Sequence, residues 1–121
     1  MSSPDPAGPI LVLCRDLLFA SKIRAAAAAA AGDGVKIQLL RDPAQLLGLD
    51  GAALIVDLGQ DGALDAGARW KSAHPTARAI GFVSHVDTAT IAAAKAAGFD
   101  DVLSRGQFDA TVTTLLPALI R

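Results

Sequence analysis

Ala52-Ala53-Leu54-Ile55-Val56-Asp57 is the stretch that decides how this chain folds. Five apolar residues run without a break and end on a carboxylate. A continuous apolar run of that length reads as a strand buried on both faces, the pattern of a parallel sheet. Ile10-Leu11-Val12-Leu13 upstream and Ala79-Ile80-Gly81-Phe82-Val83 downstream read in the same way. Asp101-Val102-Leu103-Ser104 is a shorter, final strand. Val35-Lys36-Ile37-Gln38-Leu39-Leu40 alternates before turning apolar, as a more exposed strand near the sheet edge would.

Helical segments separate these strands. Asp16 is placed to cap a helix from about Leu17 to Ala31, to which the alanines from Ala25 to Ala31 give high propensity. The alanine run reads as a helix packed closely on the sheet, stopped by Gly32-Asp33-Gly34. Asp42-Pro43 starts a short helix ending near Gly48. The loop Gly59-Gln60-Asp61-Gly62 leads into a helix over Ala63 to Ala73, closed by His74-Pro75. Asp87 caps a helix from about Thr88 to Ala97, with Gly98 where a left-handed residue is needed. The last helix is expected over Gln107 to Ile120, with Phe108, Val112, Leu115, Leu116, Leu119 and Ile120 as its apolar stripe. Pro117 is expected to kink or shorten it. Strand followed by helix, repeated along the chain, is a (βα)5 pattern: a parallel sheet with right-handed crossovers and helices on both faces.

Composition narrows the class. The 121 residues carry a net charge of −1, are 52% apolar and include one cysteine. This suits a single domain, 10–121, with a core sufficient to fold without staples. Residues 1–9 read as a flexible Ser/Pro/Gly tail and lack the basic and apolar regions of a signal peptide. No apolar run approaches the about 18–20 residues of a membrane span. The lone Cys14 excludes an internal disulfide and fits a reducing cytoplasm. Near-neutral charge, with no clustered basic stripe, gives no case for nucleic acid or a membrane surface. A glycine-rich phosphate loop, a Gly-x-Ser-x-Gly elbow and zinc-ligand spacing are all missing from the sequence.

In an open parallel sheet, ligands bind beyond the carboxyl ends of the strands. The residues there are Cys14, Arg15 and Asp16, then Asp57, Ser84 and Arg105. Five segments together resemble the receiver domain of bacterial two-component response regulators: Ile10 to Leu13, Leu54 to Leu58, His74 to Ile80, Phe82 to His85 and Ala96 to Arg105. The resemblance spans Ile10 to Arg121. It implies a flavodoxin-like three-layer sandwich with a five-stranded parallel sheet in the order 2-1-3-4-5. It makes Asp57 the phosphoacceptor position, and Ser84 and Arg105 the switch and phosphoryl-binding positions. The family's paired acidic residues, which hold Mg²⁺ with the acceptor, fall on Cys14 and Arg15, leaving only Asp16 acidic. Arg105 and Gly106 stand where the family has Lys-Pro, and Val102 stands at the switch aromatic. The loop after Asp57 is shorter than the family's and lacks its Leu-Pro.

The expectation is therefore a stand-alone degenerate receiver, a pseudo-receiver. It would be no enzyme, would have phosphorylation impaired or absent, and would act by protein–protein interaction. The alternative is a genuine phosphoacceptor modified on Asp57 in a phosphorelay. No cofactor is expected in the first reading; in the second, Mg²⁺ would rest on Asp16 and Asp57. The partner would be a signalling protein, a histidine kinase or a phosphotransfer protein, with a homodimer through region 88–120 as a further option. Plainer readings stand beside these. Asp57 could be a strand-end carboxylate held by Arg15 or Arg105. Cys14 could be a small buried residue or a redox thiol whose pKa Arg15 lowers. Ser84 could satisfy a backbone group, and His74 reads as an exposed helix-end residue. His85 reads as a non-catalytic residue next to the rim, and Trp70 as partly buried on its helix rather than a ligand platform.

Overall fold

The computed structural model describes residues 8–31, 35–84 and 87–120. Residues 1–7 of the expected tail, the Gly32-Asp33-Gly34 stop and His85 lie outside the described residues, as do the side chains of the stripe residues Leu119 and Ile120. The elements are β1 (Ile10–Leu13), α1 (Leu17–Ala31), β2 (Ile37–Leu40), β3 (Ala53–Asp57), α2 (Ala63–Ala73), β4 (Arg78–Val83), α3 (Thr88–Ala96), β5 (Asp101–Ser104) and α4 (Arg105–Ile120). All strand pairs are parallel, in the order β2-β1-β3-β4-β5, as the sequence pattern and the resemblance imply. Among the described residues no helix is long and apolar enough to cross a membrane.

Successive strand residues face opposite sides of a sheet, so the unbroken apolar runs feed two cores. Ile10, Val12, Cys14 and Ile55 meet Phe19, Ile23, Ala26 and Ala27 of α1 and Phe108, Val112 and Leu116 of α4. Leu11, Leu13, Leu54 and Val56 meet Leu46, then Ala63, Ala66 and Trp70 of α2 and Ala94 of α3. This makes the three layers. The β1 and β3 residues from Ile10 to Leu13 and from Ala53 to Val56 are buried throughout, whereas β2, paired only with β1, is partly exposed. The register aligns Leu13 with both Leu40 and Val56, and Asp57 with Phe82. The carboxyl ends of the central strands thus share one edge.

Four expectations change. The short second helix is one 3-10 turn, Pro43–Leu46. Asp42 accepts from the Ala44 amide at 3.0 Å and Gln45 Oε1 accepts from the Asp42 amide at 2.9 Å, so a capping box and Pro43 organise a single turn. Gly48, at φ 79°, then takes the chain away from the helical direction. At the other end α4 starts at Arg105, directly after β5. The Gln107 amide donates to Ser104 Oγ at 3.1 Å, and the Ser104 amide to Gln107 Oε1 at 2.9 Å. This Ser-x-x-Gln box was readable in the sequence. α4 runs through Pro117 to Ile120, the expected end, so the proline does not shorten it.

His74 is the fourth. It is half-buried, not exposed: its ring stacks on Trp70 at 4.2 Å, Nδ1 lies 2.9 Å from the Trp70 carbonyl and Nε2 lies 2.7 Å from Asp50 Oδ1. Trp70 is buried and donates from its indole to the Leu49 carbonyl at 2.9 Å, which a buried indole requires. Nearby, Lys71 Nζ donates to the carbonyls of Pro75 and Ala77 and to Asp100 Oδ2 at 3.0 Å.

Candidate functional site

The strand-end edge carries the residues singled out in the sequence. Asp57 closes β3 and is half-buried; its Oδ1 accepts from the Gly59 amide at 3.0 Å. A Cβ on Gly59 would sit 3.3 Å from that oxygen, so glycine lets the loop fold back over the carboxylate. Leu58, the residue after β3, packs down on the Cα of Gly81 in β4, where a Cβ would meet it at 2.5 Å.

β1 ends differently. Cys14 is fully buried, and its sulfur accepts from the Asp16 amide at 3.4 Å. Arg15 is exposed and makes no ion pair with Asp57; its Nε donates to the Arg41 carbonyl at 3.0 Å. Asp16 uses both carboxylate oxygens. Oδ1 caps α1, accepting from the amides of Leu18 at 3.0 Å and Phe19 at 3.2 Å, and Oδ2 is ion-paired with Arg105 Nη2. The Arg105 guanidinium lies 4.7 Å above the Phe19 ring, a cation–π contact. Phe19, Phe82 and Phe108 form an aromatic trio beneath it, with centroids 4.5 to 5.4 Å apart.

The expected static pairs of Asp57 with Arg15 or Arg105 are therefore not formed. Arg15 is engaged by a backbone carbonyl just beyond the neighbouring strand β2, that of Arg41. Arg105, at the first position of α4, reaches the α1 cap instead. Among the described residues no cationic side chain is within ion-pair distance of Asp57. Ser84 is exposed and faces two cavities. One, of about 470 Å³, is lined by Arg15, Asp57, Gly59, Gln60, Asp61 and Ser84. The other, of about 760 Å³, lies between α1 and α4 and holds Asp16, Lys22, Ser84, Arg105 and Asp109. Val102 is half-buried against the α2–α3 core. Sequence reading missed Gln60, Asp61 and Arg41. Gln60 Nε2 donates to the Arg41 carbonyl at 2.6 Å, and that carbonyl also receives Arg15. A backbone acceptor of this kind leaves no trace in residue types.

Burial pushes the Cys14 thiol up to about 11; the Asp57 charge acts in the same direction and the Arg105 charge against it. This reverses the expectation of a thiol lowered by Arg15, because desolvation outweighs the one cation acting on the sulfur, Arg105. The same facts test the implied magnesium site. A hard cation takes oxygen ligands, but the β1 end offers a neutral buried thiol, a guanidinium and a carboxylate whose oxygens are both engaged. Among the described residues no group of three His, Cys, Asp or Glu is arranged to hold a metal ion. The residues present do not fit Mg²⁺.

No protein-family model matches the chain, and no curated protein matches it by sequence. Solved structures do. The chain is similar to the beryllofluoride-activated DrrB receiver domain, at TM-score 0.75 and 12% identity, covering 93% of this chain and 97% of that one. It is also similar to HP1043, an orphan response regulator of H. pylori, at TM-score 0.74 and 14% identity, over 98% and 100% of the two chains. A response regulator from Thermotoga maritima aligns at TM-score 0.73 and 14% identity, over 94% and 98%. At such identities the likeness is one of fold: the chain has the receiver-domain fold of response regulators.

Proposed function

We propose that this domain is a signalling module of the two-component type that works through protein–protein contact rather than as an enzyme, with phosphorylation of Asp57 impaired or absent. The observation that carries the reading is the commitment of Asp16. The one acidic side chain of the Cys14-Arg15-Asp16 turn spends Oδ1 on the α1 cap and Oδ2 on Arg105. Phosphoryl transfer to a carboxylate needs charge neutralised at the acceptor. Among the described residues Asp57 has no metal-ligand set and no ion-paired cation. In this reading the partner is a cytoplasmic signalling protein, a histidine kinase or a phosphotransfer protein, or a second copy of the chain through 88–120.

A second reading rests on the openness of Asp57. Its carboxylate lines a cleft and is free of ion pairs among the described residues, so it is accessible to a donor. One experiment divides the two. The protein is incubated with Mg²⁺ and a small acyl phosphate, and its intact mass is measured. The first reading expects an unchanged mass. A phosphate adduct that disappears in Asp57→Ala establishes the second.

A further inference from the structure

A second polar cluster lies away from the strand-end edge. A cavity of about 320 Å³ opens between Leu46, Leu47, Asp50, Arg69, Trp70 and His74. Asp50 precedes β3 and His74 lies between α2 and β4, so the cavity sits toward the amino ends of these strands, at the opposite end of the sheet from Asp57. The connection from β2 to β3 holds a single 3-10 turn here, and Leu47 is left exposed at the rim. Two side chains at the end of α2 hold that connection. Trp70 donates its indole N–H to the Leu49 carbonyl at 2.9 Å, a bond with no titratable group in it. His74 holds Asp50, with Nε2 2.7 Å from Oδ1, while its Nδ1 lies 2.9 Å from the Trp70 carbonyl.

The donor count on His74 decides its charge. A carbonyl and an ionised carboxylate only accept, and a neutral imidazole has one N–H. Both contacts are therefore hydrogen bonds only when the ring carries two protons. Three surroundings favour that cation. His74 caps the C-terminus of α2, where the helix dipole is negative. Its ring is stacked on the Trp70 face at 4.2 Å and 17°. Asp50 supplies the opposite charge. Arg69, which lines the cavity, opposes the cation, but it is paired with Asp65 at 3.1 Å. Lys71 is turned to the Pro75 and Ala77 carbonyls and to Asp100. The 3-10 turn Pro43–Leu46 adds no charge.

We propose that His74 is a proton-operated latch: the imidazolium ties the end of α2 to Asp50, and the neutral ring keeps one of its two bonds and slackens the wall of the cavity. Deprotonation leaves a ring-nitrogen lone pair facing an acceptor, and the connection then rests on the Trp70–Leu49 bond. The fold favours the charged ring, so its contribution is full in mild acid and is lost as pH rises through the histidine range. The latch stands independently of the reading of Asp57.

Two measurements test it. Ring-nitrogen NMR of the wild-type protein at pH 7, with the His74 signals assigned by their absence from His74→Gln, is expected to show His74 more than half doubly protonated. An ordinary histidine is about one-quarter protonated there, and a value of one quarter or less overturns the proposal. The unfolding equilibrium constant is then measured at pH 5.5 and pH 8.5 in wild type, His74→Gln and Asp50→Asn. The rise between the two pH values is expected to be about fivefold larger in wild type than in His74→Gln, a modest factor because the Asp50 side chain is 95% exposed. Asp50→Asn keeps a polar partner without the charge and is expected to show a smaller rise than wild type. An equal rise in wild type and either variant overturns the latch. His85 is present in all three proteins, so its titration cancels.

Discussion

The ends of β1 and β3 lie side by side in one sheet, Leu13 opposite Val56, yet they are finished in opposite ways. Beyond β1 the Cys14 thiol is buried, Arg15 Nε is on the Arg41 carbonyl, and Asp16 joins the α1 cap to Arg105. Beyond β3, among the described residues, the Asp57 carboxylate accepts from its own loop alone, through the Gly59 amide. The fold delivers both ends to the same edge. What differs is which carboxylate captured the nearby cation, and that depends on helix starts. Asp16 heads α1 and Arg105 heads α4, so the two helix N-termini bring these side chains together. Asp57 ends a strand and turns into a loop.

The contrast can be broken most severely through the support under the β1 end. Phe19→Ala removes the ring that fills the core between Phe82 and Phe108 and carries Arg105. Chemical denaturation is expected to show a loss of about 3–5 kcal/mol. Asp16→Ala comes next, with a loss of about 1–2 kcal/mol, chiefly the helix cap. Asp16→Asn keeps the cap and loses under about 1 kcal/mol, since both partners of the ion pair are 36% exposed and solvent screens them. A smaller effect is expected on the other side of the comparison. Asp57→Asn keeps an oxygen for the Gly59 amide and breaks no ion pair, so stability moves by under about 0.5 kcal/mol. A loss matching that of Asp16→Ala in the same denaturation assay would erase the difference between the two ends.

A pH profile probes the boundary between them. The folded Cys14 thiol, raised to about 11, keeps its proton after an unfolded thiol at its ordinary value of 9.0 has lost it. The folded state then binds more protons between those values, so stability is full below pH 9 and falls as pH rises toward 11. Cys14→Ala is expected to flatten this stretch of the profile, and alkylation of native Cys14 at neutral pH is expected to be slow. At the far edge of the sheet the direction is opposite. Burial raises Asp100, but the Ala79 amide and the Lys71 ammonium outweigh it and hold the carboxyl below 3.8, so its contribution is lost in acid.

The sheet was legible because buried parallel strands have a signature that needs no partner to read: Leu54 to Val56 is apolar whichever face is counted. Caps were legible for the same local reason, as at Asp16, Asp42 and Asp87. The site was legible as a set of positions but not as a set of bonds. Cys14, Arg15, Asp16, Asp57, Ser84 and Arg105 all reach one edge, yet who pairs with whom depended on side-chain reach across α1 and α4 and on one carbonyl, that of Arg41. Asp16 read as a cap and as a remnant of an acidic cluster; its hold on Arg105 spans 89 residues of sequence and had no local signal. The short helix after Pro43 failed as a helix because a capping box marks where a turn begins, not how far it continues.

The central claim is that the β1 end supplies no cation site to Asp57. Calorimetric titration of the wild-type protein with Mg²⁺ tests it most directly. The account predicts no saturable binding, in wild type and Asp57→Asn alike. Saturable Mg²⁺ binding in wild type that Asp57→Asn abolishes would contradict it.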